Sequence, residues 1–296
     1  MEEFIGGILL FRHGARYPLD KSGYNKCLYK NWSLFNGELT EVGKKQIQVL
    51  GKYFNNYLKK QNFKGVIKYN NSDLNRCVKS REIFINELKK YFVCEKIKLK
   101  YPQKYYFRNY KCEKNKLIKK KYNIFETTLI KKTFLNLINL QLKKLCKLEI
   151  NYDCLECFLI KLKRSEIANS YYLNDKRSTK LLKIPSKYIK YKDKALREFL
   201  NSFKINKDIG CGKLPELIKD ALNVKNDFWV LAVHDTTIHY LLAYYKINDF
   251  SFCNYGGYIQ IEIWKKNNKK FIKFYYNNKP FEKSNKINTN CLIKYI

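Results

Sequence analysis

The stretch ILLFRHGARYPLD, residues 8–20, places one of the chain's three histidines and two of its arginines within five residues. An apolar run, FIGGILLF (4–11), leads directly into this cluster, and such a run is typical of a buried strand. Cationic side chains this close together repel one another, so the cluster is costly unless an anion binds among them. The stretch therefore predicts a strand that ends at an anion site.

A second polar cluster follows another apolar run, FWVLAVH (228–234), which is also predicted to be a strand. His234 and Asp235 end this run, and a helical pattern begins after them with Thr236 or Thr237 as a candidate cap. In α/β folds, ligands bind at the carboxyl ends of the strands. His239 lies inside the helical pattern, where a packed or surface histidine is expected.

Further strand and helix patterns alternate along the chain. Helices are predicted at 39–58, with Thr40 as the N-cap, at 72–88, capped by Ser72 or Asp73, and at 212–223. Strands are predicted at 65–70, 96–101, 257–264 and 271–276. Between roughly 105 and 205, lysine-rich amphipathic helical segments replace the strands. This order predicts a strand and helix core that is interrupted by a helical insertion and completed by the C-terminal third.

The composition is strongly basic, with 60 lysines and arginines, 26 acids and a formal net charge of +34 over 296 residues. The lysines are spread along the whole chain, which favours a compositional bias; attraction of polyanions is the alternative. No nucleic-acid-binding motif accompanies the charge, so we expect no nucleic-acid partner. No stretch has the length of a membrane span, and the acidic start is unlike a signal peptide. A cytoplasmic location is expected, or a secreted or lysosomal-type one if a leader was trimmed.

The ten cysteines are expected to be reduced thiols, since no leader peptide is visible. Cys154 and Cys157 form the only CxxC pair, and neither a second pair nor a histidine is near it. Packing is therefore expected for this pair rather than zinc binding. Because no other ligand cluster is visible, we expect neither a metal nor a cofactor.

These motifs together resemble the histidine acid phosphatase family, the branch of the histidine phosphatase superfamily that includes phytases and inositol polyphosphate phosphatases. FRHGARYPLD (11–20) is similar to the family's first signature, and VHDTTI (233–238) to its second. LTEVGKKQIQVLGKYF (39–54) and NSDLNRCVKS (71–80) are similar to segments that the family carries between them.

The resemblance implies an α/β fold, a three-layer α/β/α core with a helical cap inserted in the middle of the chain. The core is expected from residues 1–95 and 206–296, and the cap from 96–205. It also implies metal-free hydrolysis of small phosphate monoesters through a phosphohistidine intermediate. Relatives often form dimers, so a homodimer is an expectation of the resemblance alone.

Carried over residue by residue, the resemblance makes His13 the nucleophile and Asp235 the proton donor. In the family, the nucleophilic ring is oriented by the backbone just after it, which Gly14 would permit. Asp235 must be protonated to act as an acid, so an acidic optimum is expected. The side chains expected to hold the phosphate oxygens are those of Arg12, Arg16, Arg76 and His234.

The chain departs from the family pattern at two positions. Asn70 stands where relatives usually have an arginine, and Tyr258 where many have a cysteine. The middle section is also short for the branch, which leaves the substrate open. An inositol polyphosphate phosphatase or phytase-like enzyme is the first alternative, and a catalytically inactive relative that binds a polyanion is the second.

Overall fold

The computed structural model of the chain describes residues 2–16, 37–107, 211–223, 226–247 and 253–280. The chain divides into two compact units, the first of which comprises Met1–Ala15, Glu41–Tyr110 and Phe203–Ile296. The second comprises Arg16–Thr40 and Lys111–Ser202. Most of the predicted cap, like Cys154 and Cys157, lies outside the described residues. The core and cap boundaries therefore stay a prediction.

A mixed sheet of seven strands forms the centre of the first unit, in the order β3-β2-β4-β1-β5-β6-β7. The strands β1 to β4 run parallel to one another, and β5 to β7 continue the sheet as antiparallel strands. Their bounds are β1 Glu3–Arg12, β2 Val66–Asn71, β3 Cys94–Lys96, β4 Asp227–Val233, β5 Tyr258–Lys266, β6 Lys269–Tyr276 and β7 Lys279–Pro280.

The strand β1 is central because it pairs on both sides, in parallel with β4 and antiparallel with β5. Arg12, its last residue, lies opposite Val233, the last residue of β4. His13 and His234 therefore follow neighbouring strand ends at one edge of the sheet. This edge is the one at which the sequence predicts ligand binding.

Helices cover both faces of the sheet, which explains why β1 has no polar side chain between Phe4 and Phe11. Alternate residues of a strand point to opposite faces. Leu9 and Phe11 belong to a buried cluster with the helices α1 and α2, whereas the equally buried Ile8 and Leu10 face the other side. The helices α4 and α5 pack against β1. The helix bounds are α1 Glu41–Lys60, α2 Asn75–Leu88, α3 Lys104–Phe107, α4 Leu214–Asn223 and α5 Asp235–Tyr244. The predicted three-layer α/β/α core is confirmed.

The helix α1 forms where its apolar residues recur at helical spacing, and Ile47, Phe54 and Leu58 are buried against the sheet. Glu41 in its first turn and lysines in its last turn complement the helix dipole. Its N-terminal turn packs directly on the backbone after β1. A Cβ atom at Gly14 would collide with the carbonyl group of Gly43. This glycine pair therefore lets α1 approach the residues that follow His13.

Two local predictions are wrong. The third strand is Cys94–Lys96, not 96–101. It ends there because the side-chain amide of Asn70, and not a backbone N–H of β2, donates to the carbonyl oxygen of Ile97, at 2.9 Å. Neither α2 nor α5 has a side-chain cap; their N-cap residues are Leu74 and His234. None of the four described cysteines, Cys77, Cys94, Cys211 and Cys253, forms a disulfide with another. No helix in the described part of the chain is long and apolar enough to cross a membrane.

Candidate active site

Five of the six predicted site residues come together at the shared edge of β1 and β4. The imidazole rings of His13 and His234 lie edge to face, with centroids 5.5 Å apart. Both histidines are buried, and so is Arg12. The residues that the structure brings together here are Arg12, His13, Arg76, His234 and Asp235.

The hydrogen bonds of His13 assign its tautomer. Its Nδ1 lies 2.8 Å from the carbonyl oxygen of Gly14, and Arg76 donates from Nε to its Nε2 at 3.1 Å. A guanidinium can only donate, so Nε2 must carry the lone pair and Nδ1 the proton. The backbone of Gly14 thus orients the ring as the family resemblance implies, with the lone pair at Nε2.

The guanidinium of Arg12 is held by three different groups. Its Nη2 lies 2.6 Å from Oδ2 of Asp235, and its Nη1 donates to the carbonyl oxygen of Cys253 at 2.7 Å. Its plane also lies over the Tyr255 ring, 4.2 Å from the centroid. A buried cation needs such partners to offset its lost hydration. Arg12 is therefore a fixed positive charge close to His13.

Asp235 is the first residue of α5, and its Oδ1 accepts a hydrogen bond from the backbone N–H of Thr236 at 2.8 Å. Burial alone would raise the pKa of this carboxyl. The positive charge of Arg12 is the main influence that outweighs burial, and it lowers the pKa of Asp235 to about 2. The carboxyl group of Asp235 is thus ionised at mildly acidic pH.

His234 is held by two residues of the segment 71–80. Its Nε2 lies 2.9 Å from Oγ of the fully buried Ser72 and 3.6 Å from Sγ of Cys77. Burial raises the pKa of the Cys77 thiol to about 12, so this sulfur is neutral and a poor nucleophile. Ser72 and Cys77 therefore form a supporting shell behind His234.

Two further positions that the sequence analysis singled out are Arg16 and Asn70. Arg16 belongs to the second unit, where it pairs with Leu39 through an isolated β-bridge, and its part in phosphate binding stays a prediction. Asn70 is buried and structural: besides holding Ile97, it accepts a hydrogen bond from Gln103 at 3.0 Å. The position where relatives usually have an arginine thus braces the end of β2.

Sequence reasoning missed Tyr255 and misassigned Ser72. Tyr255 lies in a short glycine-containing turn, where the sequence has no helical or strand pattern. It reaches the edge of the sheet that carries the two histidines because β5, which begins just after it, runs antiparallel to β1. Ser72 was expected as a helix cap, whereas its hydroxyl meets His234. The hydroxyl of Ser80 accepts a hydrogen bond from the N–H of Gly14 at 3.3 Å, which supports the turn that follows His13.

The groups that meet at this edge of the sheet have complementary chemistry. They comprise an unprotonated ring nitrogen, two guanidinium groups and a carboxyl group. Among the residues that the structure describes, no group of three or more histidine, cysteine, aspartate or glutamate side chains could hold a metal ion.

Comparison with known proteins places this geometry in a recognised fold. No family model matches the sequence, and no curated protein matches it. Among solved structures, the ligand-free phytase of Hafnia alvei has a TM-score of 0.61 at 15% identity, covering 93% of this chain and 84% of that chain. The phytase of D. castellii has a TM-score of 0.58 at 15% identity, covering 94% and 74%.

A third solved structure is the multiple inositol polyphosphate phosphatase of Bifidobacterium longum in complex with phosphate. Its TM-score is 0.52 at 12% identity, and the match covers 94% of this chain and 87% of that chain. The chain therefore has the fold of these phytases, which belong to the histidine acid phosphatase family.

Proposed function

We propose that this protein is a phosphomonoesterase that transfers the phosphoryl group of its substrate to His13 and then to water. The observation that carries the proposal is the state of the His13 ring. Gly14 holds the Nδ1 proton, and Nε2 faces the guanidinium of Arg76. A neutral imidazole nitrogen beside two buried or half-buried guanidinium groups is a nucleophile next to an anion site.

Substrate phosphate would first compete for the guanidinium groups of Arg76 and Arg12, which contact His13 and Asp235. The guanidinium of Arg76 would move from Nε2 of His13 to a phosphate oxygen, which frees the lone pair for attack. Arg12 would share its guanidinium between Asp235 and the phosphate. Guanidinium groups bind phosphate well because their N–H donors match two oxygens at once.

In the first chemical step, the Nε2 lone pair forms a bond to phosphorus while the bond from phosphorus to the alcohol oxygen breaks. The alcohol oxygen keeps the bonding electrons and takes a proton from Asp235. The Nδ1 proton of His13 stays on the ring, donated to Gly14. Arg12, Arg76 and His234 stabilise the negative charge of the phosphoryl group in transit.

Asp235 can act as the acid only if it is protonated when the alcohol leaves. Its pKa is about 2 when Arg12 is its partner. A bound phosphate draws on the same guanidinium and adds negative charge, and both effects raise the pKa of the carboxyl. Substrate monoanions can also carry the proton into the site. Both routes favour activity at acidic pH.

The second step reverses these roles. Asp235, now ionised, accepts a proton from water as the water oxygen attacks phosphorus and the bond to Nε2 breaks. Inorganic phosphate forms, and His13 regains its lone pair at Nε2. The carboxylate of Asp235 is next to Arg12, which keeps it in position through the cycle.

The test is a comparison of wild-type protein with His13→Ala on p-nitrophenyl phosphate between about pH 4 and pH 8, with EDTA present. Wild type is expected to release phosphate fastest at acid pH, and the variant to show none. Quenching wild type in alkali during turnover of labelled substrate should trap protein-bound phosphate on His13, because the bond between phosphorus and an imidazole nitrogen is stable in alkali and hydrolyses in acid. Wild type that is folded but inactive at every pH contradicts the proposal, as does full activity of the variant.

An inositol polyphosphate phosphatase is a second candidate, supported by the fold shared with the phytases and by the net charge of +34. A higher kcat/KM for myo-inositol hexakisphosphate than for p-nitrophenyl phosphate would favour it. The inactive polyanion-binding relative would instead bind phosphate or vanadate tightly without turnover.

A further inference from the structure

A groove of about 520 Å³ lies between the N-terminal half of α1 and the segment that leads into β5. We call it the α1 groove. Small-molecule sites range over roughly 300–1,000 Å³, so its size suits a compact organic group. The apolar and aromatic residues that line it are Val42, Val49, Leu50, Tyr53, Tyr255 and Tyr258.

Tyr255 connects the α1 groove to the phosphate site. The same ring that lines the groove lies under the Arg12 guanidinium, and its centroid is 5.8 Å from that of the His13 ring. The next residue, Gly256, also lines the groove, and its N–H donates to the carbonyl oxygen of Arg12 at 3.2 Å. The groove thus begins at the wall of the phosphate site.

A second connection runs through α1. Gln46 lines the groove, and its Oε1 accepts a hydrogen bond from the N–H of Ala15 at 3.0 Å, two residues after His13. The close approach of Gly14 and Gly43 keeps this part of α1 against the same turn. Both walls of the groove are therefore attached to the backbone that carries the nucleophile.

The lining of the groove is suited to an apolar group. Val49 is 67% exposed and Tyr53 42% exposed, so a ligand would remove apolar surface from water on binding. Lys45 is the only lysine or arginine among the described residues that line it. A ring with several phosphates would find few charges to pair with here, despite the basic composition of the chain.

We propose that the α1 groove binds the alcohol part of the substrate, and that the protein prefers phosphomonoesters of aromatic alcohols to those of small polar alcohols. This inference rests on the proposed function and names the substrate class of the same site. The phosphate lies at His13, Arg12 and Arg76, and the aromatic group packs against Tyr255 and the apolar side of α1.

The test uses the double variant Val42→Gln/Val49→Gln, which makes the groove wall polar without adding charge. Both side chains are exposed and glutamine is a good helix former, so the fold is retained. The matched control is Val93→Gln, which alters a valine that is 64% exposed and is not part of the groove lining. The substrates are 1-naphthyl phosphate and glycerol 2-phosphate.

Wild type is expected to have the higher kcat/KM for 1-naphthyl phosphate. In the double variant, kcat/KM for 1-naphthyl phosphate should be about tenfold lower because KM is higher. Its kcat/KM for glycerol 2-phosphate should differ from wild type by less than about twofold. The control should change neither. Equal effects on both substrates, or no preference in wild type, would overturn the inference.

Failure of the groove and failure of the proposed function give different results. If wild type turns over both esters and the double variant behaves as wild type does, the groove assignment is wrong and the phosphatase stands. If wild type turns over neither ester, the proposed function is wrong. Fluorescence titration with 1-naphthyl phosphate then decides whether the groove still binds it in wild type and loses it in the double variant.

Discussion

The guanidinium of Arg12 forms an ion pair with Asp235, with Nη2 2.6 Å from Oδ2. Arg12 is proposed to hold the phosphate, and Asp235 is proposed to donate the proton. The anion and the carboxylate must share one cation. Phosphate binding and protonation of Asp235 are therefore coupled, and the coupling has a definite sign: an anion in the site raises the pKa of the carboxyl.

Binding of sulfate should be accompanied by proton uptake. Sulfate resembles the phosphate group but stays a dianion at about pH 4, so protons taken up at that pH must go to the protein. The pKa of Asp235 is about 2 when Arg12 is its partner, and it should rise when sulfate draws on Arg12. Calorimetric titration in two buffers of different ionisation enthalpy measures the uptake as a fraction of one proton.

Asp235→Asn is the control for this experiment, since it keeps the shape of the side chain and cannot titrate. This variant should bind sulfate with a smaller proton uptake than wild type, because the uptake by Asp235 is removed. An uptake of the same size in the variant would show that another group is responsible.

Asp235→Asn should also impair turnover in a way that depends on the leaving group. An alkoxide needs a proton to leave, whereas p-nitrophenolate leaves without one. We expect a loss of kcat/KM, which reports only the steps up to release of the alcohol, of about 10²–10³-fold on glycerol 2-phosphate and a much smaller loss on p-nitrophenyl phosphate. Steady-state kinetics on the two esters measures the difference. An equal loss on both would assign Asp235 a role in binding rather than in proton donation.

The sequence predicted the elements that carry the site because they have strong local patterns. The buried strands before His13 and His234 are continuous apolar runs, and α1 has a regular apolar spacing, so all three lie where expected. Parallel pairing of β1 with β4 then brings the two histidines to one edge. None of this depends on contacts between distant side chains.

The details that the sequence did not predict depend on tertiary contacts. Ser72 has the character of a helix cap, yet its hydroxyl meets a histidine that is 162 positions away. The third strand ends early because the Asn70 amide replaces its ladder bond. Tyr255 reaches the site only through the direction of β5. Local propensity cannot report such partners, because each exists only once the sheet has formed.

Ser72→Ala should weaken the support of His234. The substitution leaves Nε2 of a buried ring without the hydroxyl at 2.9 Å, and a lost partner of this kind costs about 1–3 kcal/mol. We expect a lower free energy of unfolding and a fall in kcat of about tenfold as His234 loses its orientation. Urea denaturation and steady-state kinetics measure the two effects.

Ser72→Thr is the matched variant, because it restores a hydroxyl at the same position. Its kcat should lie closer to wild type than that of Ser72→Ala. If both variants lose activity equally, the loss comes from packing in the buried space around Cys77 and not from the hydrogen bond to His234.

His239 should make the fold less stable as the pH falls. Burial lowers its pKa to about 3, and its Nε2 accepts a hydrogen bond from the N–H of Cys253 at 2.9 Å. In the unfolded chain its pKa is near 6.5, so between these values the unfolded state binds the extra proton and stability decreases with falling pH. The slope from this one group approaches about 1.4 kcal/mol per pH unit.

His239→Gln keeps an acceptor for the Cys253 N–H and removes the titration, so the free energy of unfolding should depend less on pH between about pH 4 and pH 6. Asp235 contributes only at the acid end of this window: its lowered pKa gives stability that is fully present well above its ordinary value of 3.8 and is lost as the pH falls towards 2. Urea denaturation of wild type and His239→Gln across the window measures the two slopes. Parallel slopes would show that His239 is protonated in the folded protein or that other groups dominate acid unfolding.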